Sequence, residues 1–211
     1  MKTLVQCDFD GTVTYKDVSF QLLDEFAGAE WREYWDRHEA GKLTVGRFNE
    51  LAFSMVKATR QEMLEYVDNR FRLRPGLKTL VDFCRKECYR LAIVSNGLDF
   101  YIDHILKTLG VEDVEHHAAE SVFGPSGMKV RYVGADGSVV DTGFKESYVV
   151  KFLNEGYRIA YIGNGSSDIS PAKRCQLVFA TGALLEHYRQ HGMACVAFDT
   201  FTDIAKTLET W

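Results

Sequence analysis

Short apolar runs recur along the chain, each separated from the next by a stretch with helical or polar patterning. They read TLVQC at residues 3–7, LAIVS at 91–95, RIAYIG at 158–163, QLVFAT at 176–181 and ACVAF at 194–198. The runs are continuous rather than alternating, which predicts strands buried on both faces, as in a parallel sheet covered by helices. Between them the apolar residues take a helical period. Leu77, Leu80, Val81, Cys84 and Cys88 form one stripe. Ile102, Ile105, Leu106 and Leu109 form another, stopped by Gly110, and the helix that opens near Glu146 stops at Gly156. Strands alternating with crossover helices predict an α/β fold.

Two intervals interrupt the alternation. From Asp17 to Arg74 there is no strand-like run, only helix signals. Val18, Leu22, Leu23 and Phe26 make one stripe; Val45, Phe48, Leu51, Ala52 and Met55 make a second after Thr44. A third helix opens on the capping-box spacing Thr59-x-x-Glu62 and ends near Phe71, before Pro75-Gly76. The chain therefore divides into a core of residues 1–16 and 75–211 and a helical insertion at 17–74. The second interval, MKVRYVGADGSVVDTG at 128–143, predicts a β-hairpin turning at Asp136-Gly137.

Composition narrows the function classes. The 211 residues carry a formal charge of −5, which argues against general nucleic-acid binding. No apolar stretch approaches the ~18–20 residues that span a bilayer, and the start of the sequence has no apolar leader. The five cysteines are scattered rather than paired like a disulfide framework. A reducing, cytoplasmic setting is expected. Cys84 and Cys88, with His116 and His117, could suggest zinc, but cysteines four apart on an apolar helical stripe read as core.

In open α/β sheets, ligands collect at the carboxyl ends of the strands. Those ends hold Asp8 and Asp10, then Ser95 with Asn96 and Gly97, then Asn164 and Asp168, while Lys145 opens the helix before the third major strand. Two acids, a hydroxyl, an amide, an ammonium and a further acid suit a phosphate group handled with a divalent cation. Magnesium prefers oxygen ligands and binds through one or two carboxylates plus the substrate phosphate. Asp8 and Asp10 would point alike on an extended strand, so a turn at Phe9–Gly11 is expected to separate them.

These residues resemble a known family. DFDGT at 8–12, VSNG at 94–97, Lys145 and GNGSSD at 163–168 match, in order, the four motifs of the haloacid dehalogenase-like hydrolases. The insertion resembles the cap of the subgroup that includes phosphoserine phosphatase, and the chain also resembles methionine-salvage phosphatases. The resemblance implies a Rossmann-like core with a helical cap and a Mg²⁺-dependent phosphatase of a small phosphomonoester. Asp8 would be the nucleophile and Asp10 the proton shuttle, with Lys145 also catalytic. Thr12, Ser95, Asn96 and Gly97 would bind phosphate, and Asp8, the Asp10 carbonyl, Asn164 and Asp168 would serve the metal.

The match departs from the family at two places. Asn164 stands where a metal-binding aspartate is common, which implies weaker metal binding. In the cap, Glu50 occupies the place of an arginine that pairs with the phosphoserine carboxylate; Arg47 lies about one turn earlier, and Asp17 stands at the place of a cap-side glutamate. Arg47 and Asp17 are the expected substrate contacts from the cap side. Two alternatives remain at this level: phosphoryl transfer from Asp8 to an acceptor other than water, and a phosphate-binding regulatory module that has lost turnover through Asn164.

Overall fold

In the computed structural model, which describes residues 2–124 and 127–211, strand β1 (Lys2–Cys7) is buried from Thr3 onward. Four helices follow it, α1 (Val18–Phe26), α2 (Trp31–Glu39), α3 (Val45–Ser54) and α4 (Arg60–Arg70). Then come α5 (Leu77–Lys86), β2 (Arg90–Leu98), α6 (Asp99–Thr108), β3 (Glu115–Gly124), β4 (Gly127–Val133) and β5 (Val139–Val140). The remainder is α7 (Phe144–Asn154), β6 (Tyr157–Gly163), a 3₁₀ turn at Ser166–Asp168, α8 (Ile169–Ala172), β7 (Leu177–Ala180), α9 (Gly182–Gln190), β8 (Val196–Ala197) and α10 (Phe201–Leu208). Among the described residues, no helix is long and apolar enough to cross a membrane.

The strands form one sheet in the order β5-β4-β3-β2-β1-β6-β7-β8. From β3 to β8 every neighbouring pair is parallel, and β4 and β5 add an antiparallel edge. Chain order runs outward in both directions from β1, because β2 pairs on one side and β6 on the other. That reversal is a switch point, where adjacent loops part and leave a crevice beyond the carboxyl ends of the strands. The α/β fold read from the sequence is therefore present, with its crevice at β1.

The sequence reading needs three local corrections. Residues 115–124 form β3, although HHAAESVFG carries no apolar run; its face is half-buried rather than buried, so hydropathy gave no signal. The hairpin at 128–143 is real but is joined to β3, which pairs antiparallel with β4 from Glu120 to Gly124. Cys88 does not extend the α5 stripe. The helix ends at Lys86, and Cys88 is exposed with φ of +55°. There it closes a helix-terminal turn in which the Tyr89 N–H donates to the Cys84 carbonyl.

The four inserted helices share their own aromatic centre. Trp31, Phe48 and Phe53 are buried, and the Phe20 ring meets Trp35 edge-on with centroids 4.6 Å apart. Three of the four helix starts are set by a side-chain cap: Asp17, Thr44 and Thr59 accept from the backbone N–H groups of Phe20, Arg47 and Glu62, and Glu62 returns the bond to complete the expected capping box. The segment leaves and rejoins the core through paired strands of linker. Tyr15 N–H donates to the Arg72 carbonyl and Arg74 N–H to the Val13 carbonyl. Arg74 is itself buried, and its guanidinium donates to the carbonyls of Thr12 and Asp199. The far end of the segment docks where Gly46 N–H donates to the Asp141 carbonyl at 3.0 Å. A Cβ on Gly46 would lie 2.8 Å from the Asp141 Cα, so only glycine permits that approach.

Candidate active site

Asp8 continues β1 by one residue, its N–H donating to the Ile162 carbonyl of β6 at 2.9 Å. The chain then turns sharply. The Phe9 carbonyl accepts from the N–H groups of Thr12, Val13 and Thr14, and Gly11 takes φ of +73°. A Cβ on Gly11 would lie 2.1 Å from the Asn164 side-chain nitrogen, so the turn needs glycine for both reasons. The result is the divergence expected at Phe9–Gly11, with the carboxylates of Asp8 and Asp10 in different environments on one cavity wall.

Asp8 is held by Lys145. Lys145 Nζ lies 2.7 Å from Asp8 Oδ1 and 2.7 Å from Asp168 Oδ1, and all three side chains are at most 5% exposed. The ammonium also donates to Ser167 Oγ at 3.3 Å. Burial, then Asp168, raise the Asp8 carboxyl to about 7 against the opposing pull of Lys145. Burial disfavours the charged form of Lys145, but Asp168 and Asp8 outweigh it and hold the ammonium charged above the ordinary lysine range.

Asp168, expected from the sequence to serve the metal, has both carboxylate oxygens engaged by protein donors. Its Oδ1 accepts from Lys145 and from the Tyr161 hydroxyl, and its Oδ2 accepts from the N–H groups of Asn164 and Gly165. Four donors occupy a fully buried carboxylate. Its role is to fix Lys145 and the loop that carries Asn164. A Cβ on Gly163 would fall 2.6 Å from the Asp168 carboxyl carbon, so that glycine is required by the same contact.

Asp10 faces the opposite side. Its Oδ1 accepts from Val18 N–H at 2.9 Å at the start of α1, and its Oδ2 accepts from the Tyr101 hydroxyl, which in turn is 2.9 Å from Ser19 Oγ. Burial and the nearby Asp17 raise the Asp10 carboxyl well above the usual range, with Tyr101 and Val18 pulling the other way. Asp17, beside it on the cavity wall and capping α1, is raised to about 6, chiefly by burial. Burial also pushes the Cys7 thiol up, beside Asp8.

Ser95 is fully buried and its Oγ accepts from Gly97 N–H at 3.0 Å, which orients the loop at the end of β2. Thr12 Oγ lies 3.3 Å from Asp8 Oδ2 and 3.0 Å from Asn164 Oδ1, tying the first and fourth motifs together. These groups surround a cavity of about 180 Å³. Asp8, Asp10, Asp17, Ser95, Asn96, Gly97, Lys145 and Asn164 line its floor, and Phe20, Trp35, His38, Val45, Phe48 and Asn49 line its roof.

Arg47 is not in this set. It is half-exposed and paired with Glu50 at 2.5 Å on the outer face of α3, so the cap contact expected of it is absent. Gapless spacing puts Glu50 at the expected arginine position with Arg47 one turn earlier, and both lie on the exposed side of α3, while Phe48 and Asn49 line the cavity. Tyr101, Asn49 and Tyr132 were missed altogether. Tyr101 carried a weak signal, since it lies on the helix that directly follows Ser95-Asn96-Gly97, whereas Tyr132 reaches the site only through the β3–β4 pairing.

Oxygen donors suit a hard cation here. The Asp8 carboxylate, the Asn164 side chain and the Asp10 carbonyl lie on adjoining turns, and the Asp10 carbonyl receives no hydrogen bond from any described residue. Such a set, one anionic and two neutral oxygens, fits Mg²⁺ completed by substrate phosphate and water. Among the described residues there is no cluster of three or more His, Cys, Asp or Glu side chains suited to holding a metal.

The model of the haloacid dehalogenase-like hydrolases matches residues 5–173. The chain belongs to that family. Among curated relatives it is 31% identical over 219 residues to the 2-hydroxy-3-keto-5-methylthiopentenyl-1-phosphate phosphatase of Exiguobacterium sibiricum, covering 100% of this chain and 98% of that one. It is 27% identical to the protein of the same name from Bacillus pumilus, covering 96% and 89%. A solved phosphoserine phosphatase, captured as an analogue of its phospho-aspartyl intermediate, shares the fold with a TM-score of 0.71 at 21% identity, covering 98% of each chain. The sequence motifs, the sheet with β1 at its switch point and the placement of Asp8 agree with membership of this hydrolase family.

Proposed function

We propose that this hydrolase is a Mg²⁺-dependent phosphatase of a small phosphomonoester, acting through an aspartyl-phosphate on Asp8. The observation that carries the reading is the asymmetry of the acid pair: Asp8 is bound to a lysine, Asp10 to a tyrosine hydroxyl and a helix N–H. Two carboxyl groups placed in such different surroundings can hold different protonation states at one pH, as nucleophilic and acid–base roles require.

Asp8 Oδ2 attacks phosphorus, the phosphorus–oxygen bond to the leaving group breaks, and Asp10 delivers its proton to that oxygen. Asp10 then takes a proton from water as the water attacks the aspartyl-phosphate, releasing phosphate and restoring the Asp8 carboxylate. Lys145, Ser95 and the Asn96 N–H orient the phosphoryl oxygens and offset their charge, with the Gly97 N–H holding Ser95 Oγ in place. Asp8, the Asp10 carbonyl and Asn164 would hold Mg²⁺, which supplies further charge neutralisation on the phosphoryl group. The helices between residues 17 and 74 act as a cap that shields the cavity from water.

The cavity favours a leaving group like that of the methionine-salvage relatives over phosphoserine. Among the described residues, Lys145 is the one lysine or arginine that lines it and is already committed to Asp8 and Asp168, so an amino-acid carboxylate finds no free lysine or arginine partner there. Phe20, Trp35, Val45 and Phe48 offer apolar surface to an uncharged tail. The test is Mg²⁺-dependent release of phosphate from an aryl phosphate and from a panel of metabolite phosphates. Release that vanishes in Asp8→Asn supports the reading; a wild-type protein that binds phosphate analogues yet releases nothing overturns it.

A further inference from the structure

Asn49 makes two different uses of its amide. From α3 its Nδ2 donates to the Tyr132 hydroxyl, and the Asn96 carbonyl lies 3.5 Å from the same nitrogen. The Tyr132 hydroxyl passes its own proton to the Asn96 carbonyl at 2.5 Å. Asn49 and Tyr132 are both buried. Helix α3, strand β4 and the carboxyl end of β2 thus meet at one hydrogen-bonded point, and Nδ2 is fully used there.

The other end of the amide is free. Asn49 Oδ1 receives no hydrogen bond from any described residue. It is also not sealed: the unpartnered side-chain atoms that are shut off from solvent are Gln6 Oε1, His187 Nε2 and the Tyr188 hydroxyl oxygen. Asn49 lines the cavity, so its carbonyl oxygen is an acceptor offered to whatever fills the roof. His38 lines the same cavity and repeats the pattern. Its Nδ1 lies 2.9 Å from the Leu43 carbonyl, which can only accept, so Nδ1 carries a proton there, and Nε2 has no hydrogen-bond partner among the described residues. The ring is stacked on Phe48 and held in that orientation.

We propose that Asn49 is a specificity residue whose Oδ1 accepts a hydrogen bond from a hydroxyl group of the leaving group, with His38 Nε2 as a second acceptor. The inference rests on the phosphatase reading and sharpens it: the favoured substrate is a phosphomonoester with an uncharged, hydroxyl-bearing chain near the phosphate and an apolar end against Phe20 and Trp35. Tyr132 is a positioning residue that holds Asn49 with its Nδ2 turned inward and its Oδ1 toward the cavity. An acceptor left unpaired when a hydroxyl-free analogue fills the roof is what makes such a site discriminate.

The test compares kcat/KM of the Mg²⁺-loaded enzyme for 2-hydroxypropyl, 3-hydroxypropyl and propyl phosphate, with an aryl phosphate as reference. Wild type should favour at least one hydroxypropyl isomer over propyl phosphate by about tenfold or more. Asn49→Leu should bring that ratio close to one, and His38→Phe should reduce it. Tyr132→Phe, which frees both the Asn49 amide and the Asn96 carbonyl, should lower turnover of all substrates and reduce the ratio as well. Equal use of propyl phosphate and both isomers by wild type overturns the proposal without any variant, so a failure of Asn49→Leu to fold does not shelter it. A ratio unchanged in soluble Asn49→Leu overturns it as well. Absence of phosphate release from every compound, the aryl phosphate included, would instead refute the phosphatase reading itself.

Discussion

Tyr101 donates its phenolic proton to Asp10 Oδ2, and both atoms press against Gly97. A Cβ on Gly97 would stand 2.0 Å from the Tyr101 hydroxyl oxygen and 2.2 Å from Asp10 Oδ2. The glycine of the second motif therefore makes room for the Tyr101–Asp10 pair as well as holding Ser95 Oγ through its N–H. Gly97→Ala is expected to fold and to lose most of its kcat. Tyr101→Phe keeps the space but frees Asp10 Oδ2, and should lower kcat by roughly tenfold to a hundredfold, the range for a hydrogen bond to a charged group. Steady-state kinetics on both variants check the relationship.

Lys145 neutralises two buried carboxylates at once. Lys145→Met is expected to destabilise the protein by about 3–5 kcal/mol, because it leaves buried negative charge without a partner. Adding Asp168→Asn should return part of that loss by removing one of the two stranded charges, while activity stays absent in both. Urea denaturation of the single and double variants reads the effect.

Asn164 offers the cation an amide oxygen where a carboxylate would add charge. Asn164→Asp should lower the Mg²⁺ concentration needed for half-maximal rate. Without Mg²⁺ the same variant should melt lower than wild type, since the new carboxylate would share Thr12 with Asp8. Magnesium titrations of rate and of melting temperature test the two halves separately. A raised Mg²⁺ requirement would show that Asn164 does more than ligate.

Much of this site could be read from the sequence, for a physical reason. Asp8, Ser95 and Asn164 follow apolar runs, so the strand ends that carry them are marked by hydropathy alone. What could not be read lies across the cap. Asn49 and Arg47 are two residues apart on α3, yet one is buried over the cavity and the other forms a surface ion pair with Glu50. Helix phase relative to the core depends on contacts such as Gly46 against Asp141, which local patterning does not encode. Strand β3 was hidden because its half-buried face mixes histidine, glutamate and serine with alanine.

The outward placement of Arg47 has its own consequence. Arg47→Ala should change kcat/KM by less than about twofold and stability by less than about 1 kcal/mol, as for other exposed ion pairs. A selective loss of activity toward a carboxylate-bearing substrate would contradict the position of this side chain.

Asp17 links the cavity to pH. Its carboxyl is raised from 3.8 to about 6 in the folded chain, so the fold favours the neutral form. The stabilising contribution of that form is complete below about pH 4 and is lost as pH rises through about 6. Asn can keep the α1 cap without the charge. Asp17→Asn should therefore raise the melting temperature near pH 7.5, by at most about 3 kcal/mol of stability for the two-unit difference, and leave it nearly unchanged near pH 4. Thermal melts at the two pH values settle the sign.

The central claim concerns Asp8 as the atom that receives phosphorus. Acid-quenching the enzyme during turnover of a labelled phosphomonoester, followed by peptide mapping, tests it most directly. The account predicts label on the peptide containing Asp8, lost on hydroxylamine treatment as an acyl phosphate must be, and absent from Asp8→Asn. Steady phosphate release with label on no residue, or on a residue other than Asp8, would contradict it.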